Sequence, residues 1–218
     1  MIKKPAGCSG CVLADKGKGY VPDKISKKHK IVFYGEAPGK REIEHGEPFS
    51  GDSGFVLRQW LVRAVPDMQI AMEKSEVSLC STLRCLPPDN GQGKAYPTGE
   101  ERIQAEAHCR QYDPKLDGVH TVVLFGEAAQ RLFFKTELDL EDATSRMLKH
   151  DLKGMVGRIG RTYKQKDALY VFAPHPTYVL KQPAFVIHGQ RALQIACDTE
   201  KIVDVAYVEW SSALAELF

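Results

Sequence analysis

Four short runs of apolar residues punctuate the chain, at 30–34 (KIVFY), 77–83 (VSLCSTL), 121–125 (TVVLF) and 169–173 (LYVFA). Each has strand length, and each is followed by a loop signal and then by a segment with helical periodicity. The pattern predicts buried strands alternating with helices, and hence a parallel sheet. Behind the first strand, Leu57, Trp60, Leu61 and Ala64 fall at i, i+3, i+4 and i+7, and Pro66 is expected to stop that helix. A second helix is predicted from Thr98, where Glu101 completes a capping-box pattern, through Ile103, Ala107 and Cys109. A third follows Gly126, and a fourth covers about 184–196. The stretch 200–218 mixes strand and helix signals. Residues 86–97 read as a Pro/Gly loop, and 145–168 as a long basic connection. Open parallel sheets take ligands beyond the carboxyl ends of their strands. Attention therefore falls on the loops after Tyr34, Leu83, Phe125 and Ala173.

The chain has 218 residues, 43% of them apolar and 27% charged, which suits a globular protein of one large or two small domains and excludes disorder as its main state. No apolar run approaches the roughly 20 residues of a membrane helix, and the N-terminus (MIKKPAGCSGC) has no signal-peptide core. A soluble, cytoplasmic protein is the expectation. Net charge is only +2, but residues 1–30 hold eight Lys against two Asp, and residues 145–166 hold seven Lys/Arg against one Asp. That distribution suits either a basic binding face or an ordinary solvated surface. Six cysteines in an intracellular chain point to metal ligands or apolar core rather than disulfides.

The loop after the first strand reads Gly35-Glu36-Ala37-Pro38-Gly39, then KREIEHGEPFSGDSG. It is neither a P-loop nor a Rossmann fingerprint, but its backbone N–H groups could face a ligand. Of its acids, Glu36, Glu42, Glu44 and Glu47, one could orient a water, or they could complement a helix dipole. Phe49 could stack on a flat ring or belong to the core. His175, between Pro174 and Pro176, is held rigidly at a strand's carboxyl end. It could donate to developing negative charge or be structural. Cys8 and Cys11 form a CxxC, and with Cys85 and Cys109 they would suit Zn²⁺ or an iron–sulfur cluster. Cys80 and Cys197 read as core.

Together these features resemble the uracil-DNA glycosylase superfamily, and in particular its iron–sulfur branch (family four). Gly35–Gly39 followed by Gly46-Glu47-Pro48-Phe49-Ser50-Gly51 is similar to that family's first motif, and His175-Pro176-Thr177-Tyr178-Val179-Leu180 to its second. Cys8, Cys11, Cys85 and Cys109 match its four-cysteine order. The resemblance implies a single α/β/α domain over 1–218 with a four-stranded parallel sheet, a CxxC segment at its N-terminus and an extension at about 198–218. It implies a mainly structural [4Fe–4S] cluster on the four cysteines. It also implies a monofunctional glycosylase in which Phe49 lies under a flipped base, Gly35, Ala37 and Ser81 line the base site, and His175 stabilises the leaving base. Glu42 takes the place of a water-positioning acid, with Glu36 in the same loop. Lys149, Lys153, Arg158, Arg161 and Tyr178 are expected on DNA, with the protein a monomer. Two positions depart from the pattern: Ile43 stands where the family carries Asp, and Ser81 where it carries Asn. A serine cannot make the two-point amide contact to a base edge. No histidine occupies the 86–97 loop, so covalent trapping of DNA is not expected. These departures leave room for an alternative, a catalytically impaired protein that binds nucleic acid or a partner on the same scaffold.

Overall fold

A computed structural model describes residues 2–28, 30–88, 99–133, 162–165 and 168–197. Strands β1 (Ile31–Gly35), β2 (Val77–Ser81), β3 (Thr121–Phe125), β4 (Thr162–Gln165) and β5 (Ala168–Ala173) form one sheet in the order β2-β1-β3-β5-β4. The four apolar runs are its four parallel strands, aligned Ile31 to Val77 and Thr121, and Thr121 to Leu169. A fifth strand, β4, lies antiparallel on the β5 edge, inside the segment expected to be a plain connection. Its sequence, Thr-Tyr-Lys-Gln, has no apolar run, as suits a short strand at the edge of a sheet.

The helices are α1 (Lys40–His45), α2 (Asp52–Ala64), α3 (Pro66–Glu73), α4 (Gly99–Cys109), α5 (Gly126–Phe133), α6 (Tyr178–Lys181) and α7 (Val186–Cys197). Pro66 ends α2 as expected but also opens α3, because a first-turn proline lacks only an N–H that would have no helical partner. The expected cap Thr98, the C-terminal extension and the basic residues Lys149, Lys153, Arg158 and Arg161 lie outside the described residues.

Continuous apolar strands demand cover on both faces. On one face Phe33, Val123, Phe125 and Val171 meet Leu57, Trp60 and Leu61 of α2 and Ala192 and Leu193 of α7. On the other, Val32, Tyr34, Val122, Leu124 and Phe172 pack around Ala129 of α5. A third group, Leu13, Leu83, Cys85, Ala105 and Cys109, joins the N-terminal segment to α4. Among the described residues no helix is long and apolar enough to cross a membrane.

Among the described residues Trp60 is the largest fully buried side chain. Trp60→Ala should therefore cost about 3–5 kcal/mol of stability, read as a lower denaturation midpoint at unchanged m-value.

Candidate active site and cysteine cavity

Gly35 and Ser81 end β1 and β2 side by side, and the pairing continues past them. Thr82 N–H donates to the Gly35 carbonyl (3.0 Å), and Leu83 N–H to that of Glu36 (2.9 Å). The Thr82 hydroxyl also donates to the Glu36 carbonyl, at 2.5 Å. The motif loop after β1 is thus tied to the chain running into Cys85.

Within that loop Glu42 is buried and spans two backbone amides. Its Oε2 accepts from Gly39 N–H (2.5 Å) and its Oε1 from Phe49 N–H (2.6 Å). Burial pushes this carboxyl above the usual range, and the two amides pull it back. Phe49 has φ +56°, a left-handed conformation that costs a non-glycine residue roughly 1–2 kcal/mol. Three contacts hold it there: the Glu42 carboxylate on its N–H, Arg58 Nη1 donating to its carbonyl (3.0 Å), and Gly54 beneath. A Cβ at position 54 would fall 1.5 Å from the Phe49 oxygen, so only glycine fits. The Phe49 ring lies on Gly35, where an added Cβ would come within 2.9 Å of Cζ, and it meets Phe125 edge-on with centroids 5.8 Å apart. Phe49 is 3% exposed, so it belongs to the core while sitting at the ligand end of the sheet.

His175 follows β5 and packs against Gly126, the first residue of α5. Its Nδ1 receives the backbone N–H of Thr177 (3.3 Å) and lies 2.7 Å from that residue's hydroxyl. A backbone N–H can only donate, so Nδ1 is an acceptor and the neutral ring carries its proton on Nε2. Burial pushes the imidazole below its ordinary pKa, and the Glu36 charge acts in the opposite sense. The Glu36 carboxylate is itself paired with Arg102 of α4 (2.7 Å), which also holds Glu106 (2.7 Å). Tyr178 N–H donates to the His175 carbonyl (2.9 Å), and its ring packs edge-on against Phe185.

Ser81 is buried, and its N–H donates to Asp23 Oδ1 (3.2 Å). Ile43 packs on Gly19 and so joins α1 to the N-terminal segment. Ala37 packs against the shell of Leu13, Leu83, Cys85, Ala105 and Cys109.

Cys8, Cys11, Cys85 and Cys109 line a single, partly open cavity. Burial, with the other three thiols adding to it, pushes Cys85 up to about 12. Leu13 N–H points at Cys11 Sγ (3.4 Å), and the Tyr112 hydroxyl lies 3.8 Å from Cys8 Sγ. Among the described residues no three ligating side chains converge closely enough to hold a single metal ion. Cys80 is buried in β2, as expected, and Cys197 ends α7 half-buried.

Sequence reasoning missed the charges that fix this shell. Arg84, 2% exposed, donates through Nη2 to Asp23 Oδ2 (2.5 Å) and Asp113 Oδ1 (2.9 Å), and through Nη1 to the Cys109 carbonyl (2.7 Å). The Tyr34 hydroxyl donates to the same Asp113 oxygen at 2.5 Å. A lone arginine beside a cysteine gives no periodic signal, and its partners are distant in sequence.

A family-wide sequence profile of the uracil DNA glycosylase superfamily matches residues 22–195. The chain belongs to the uracil DNA glycosylase superfamily. It is 30% identical over 184 residues to the type-4 uracil-DNA glycosylase of Archaeoglobus fulgidus, covering 84% of this chain and 83% of that one. It is 27% identical to that of Sulfurisphaera tokodaii, covering 81% and 72%. With that of Saccharolobus solfataricus it shares 32% over 131 residues, covering 59% and 55%. The superfamily match spans both motif loops and two of the four cysteines.

Two measurements check this geometry. Arg84→Met takes the cation from buried Asp23 and the nearer of two from Asp113, which keeps Arg110 at 3.7 Å, and should cost about 3–5 kcal/mol, read by chemical denaturation. The unfolded chain protonates His175 near 6.5, whereas the folded chain does so only at lower pH. Stability tied to His175 is therefore full above pH 6.5 and falls as pH drops toward the folded value. The melting temperature of wild type minus that of His175→Gln should shrink between about pH 7.5 and 5.

Proposed function

We propose that this chain excises uracil from DNA by hydrolysing the N-glycosidic bond of a base turned out of the helix. The observation that carries the reading is the imidazole of His175. It is held as a neutral Nε2–H donor at the carboxyl end of the sheet that also carries Phe49, in a chain whose relatives are named type-4 uracil-DNA glycosylases. The sugar–base bond cannot be reached inside the stack, so the base must first be everted. Phe49, clamped over Gly35, then forms a floor for the ring, with Ala37 and Ser81 beside it.

As the bond breaks, negative charge grows on the base oxygens. A fixed Nε2–H donor answers that charge without reorganising. Glu42 already accepts two amide hydrogens, but a carboxylate offers about four lone-pair sites. The remaining ones orient the attacking water, so one carboxylate braces the floor and places the nucleophile. Water rather than an amine of the chain completes the reaction, which makes the enzyme monofunctional. Ser81 offers a single hydroxyl to the base edge, and Lys149, Lys153, Arg158, Arg161 and Tyr178 contact the strand. Binding should therefore weaken with salt.

The cysteine cavity fits an iron–sulfur cluster. Four thiols from three segments line one space, a backbone N–H points at Cys11 Sγ, and the Tyr112 hydroxyl lies beside Cys8 Sγ. Cys8, Cys11, Cys85 and Cys109 would hold it. When bound, the group supplies cross-linking of the N-terminal segment, the β2 exit and α4 rather than a step of the hydrolysis.

A single-turnover assay on a single-stranded uracil oligonucleotide tests the reading. Uracil release is expected, and His175→Ala should slow it roughly 10²–10³-fold while DNA affinity is retained. Borohydride should trap no covalent complex. The purified protein should be brown and carry iron and sulfide. If neither uracil nor any other altered base is released, the catalytic reading falls, and binding without excision, which Ser81 favours, takes its place.

A further inference from the structure

Arg102 belongs to no motif singled out in the sequence, yet it reaches the motif loop. On α4, positions 102, 105, 106 and 109 fall on one helical face, and Ala105 and Cys109 of that face are buried in the cysteine shell. The face that holds Cys109 in that shell therefore also aims Arg102 at the loop after β1. Arg102 Nε is held by Glu106 one turn on (2.7 Å), and its Nη2 meets Glu36 Oε1 at 2.7 Å. The Arg102 and Glu36 side chains are only 16% and 20% exposed, so solvent screens the pair weakly. Thr82 and Leu83 fix the backbone of Glu36 through its carbonyl, so the carboxylate is presented to Arg102 from a held main chain.

Glu36 follows β1 in line with Gly126, which follows the neighbouring β3, and His175 packs against that Gly126; the Glu36 charge accordingly acts on the imidazole. Around Glu36 the facing charge is Arg102 of α4, with Glu106 behind it on the same helix. A bare carboxylate at this position would oppose the anion that forms on a departing base, because like charges in a poorly screened site repel strongly.

We propose that Arg102 is a positioning residue for base excision: by pairing with Glu36 it cancels the carboxylate that faces His175, so that negative charge can build on the leaving base. The inference rests on the glycosylase reading for its consequence, but not for the electrostatics. Arg102 touches neither base nor DNA in this role and acts through Glu36 alone.

The test is a double-mutant cycle on the full chain as purified: wild type, Arg102→Met, Glu36→Gln and the pair. Arg102→Met should slow single-turnover uracil excision by roughly ten- to a hundredfold, the scale of one misplaced electrostatic group, with little change in DNA affinity. In the Glu36→Gln background the same substitution should cost nothing further, since no charge remains to cancel. Arg102→Lys, which keeps the cation, should recover most of the rate. Separately, the His175 imidazole titration, followed by NMR and assigned with His175→Gln, should move to higher pH in Arg102→Met but not in the double variant. If Met at 102 prevents folding, Arg102→Gln carries the same cycle. A slowing that persists in the Glu36→Gln background, or a His175 titration that does not move, overturns the proposal. If wild type releases no base, the glycosylase reading fails by itself, and the titration still decides whether Arg102 shields His175.

Discussion

The hydrogen bonds from Thr82 and Leu83 to the carbonyls of Gly35 and Glu36 are the constraint on which the rest of this molecule depends. They extend the β1–β2 register two residues beyond the strands, into what would otherwise be a free loop. Backbone carbonyls in a buried turn must find donors, and here the donors come from the segment that runs directly into Arg84 and Cys85. Arg84 in turn binds the Cys109 carbonyl at the end of α4. The motif loop and the cysteine shell are therefore one piece. A cluster that cross-links the shell would stiffen the motif loop, whose Ala37 packs against that shell.

That stiffness has a use, because the loop carries strain. Phe49 sits in a left-handed conformation that its own side chain disfavours. Such a conformation persists only where the surroundings over-determine it. Glu42 fixes its N–H, Arg58 and Gly54 together fix its carbonyl, and Gly35 removes the Cβ that would lift the ring. The glycines of this motif serve the aromatic as much as the ligand. Glu42 likewise has a structural task that is separate from any handling of water.

The sequence was legible where the physics is local or periodic. Continuous apolar runs marked the four parallel strands, and the stripe of Leu57, Trp60 and Leu61 marked the packed face of α2. His175 between two prolines was found because proline restricts its neighbours whatever the tertiary context. The four cysteines were grouped through the family's order, and they do line one cavity. What escaped depends on long-range pairing. β4 is a polar edge with no apolar run, and Pro66 opens a helix as well as closing one. Arg84 and Arg102 look like ordinary surface cations until Asp23, Asp113 and Glu36 are brought to them from 29 to 66 residues away. Phe49's twist has no sequence signature beyond the glycines around it.

The same long-range pairs resolve a difficulty in the composition. A chain of net charge +2 carries four acids in the loop that the proposed function brings to a polyanion and an anionic leaving group. Glu42 is answered by the amides of Gly39 and Phe49, Glu36 by Arg102, and Glu47 by Lys24 at 2.7 Å. Deeper in, Arg84 answers Asp23 and Asp113. The pair formed by Lys24 is partly exposed and contributes little to stability. It still removes a negative charge from the rim of the site. Net charge is a poor guide to such a protein, because the field at its site is set by which carboxylates are already bonded. Here three of the four loop acids are bonded before any ligand arrives, leaving a neutral imidazole donor as the feature that a departing, negatively charged base would meet.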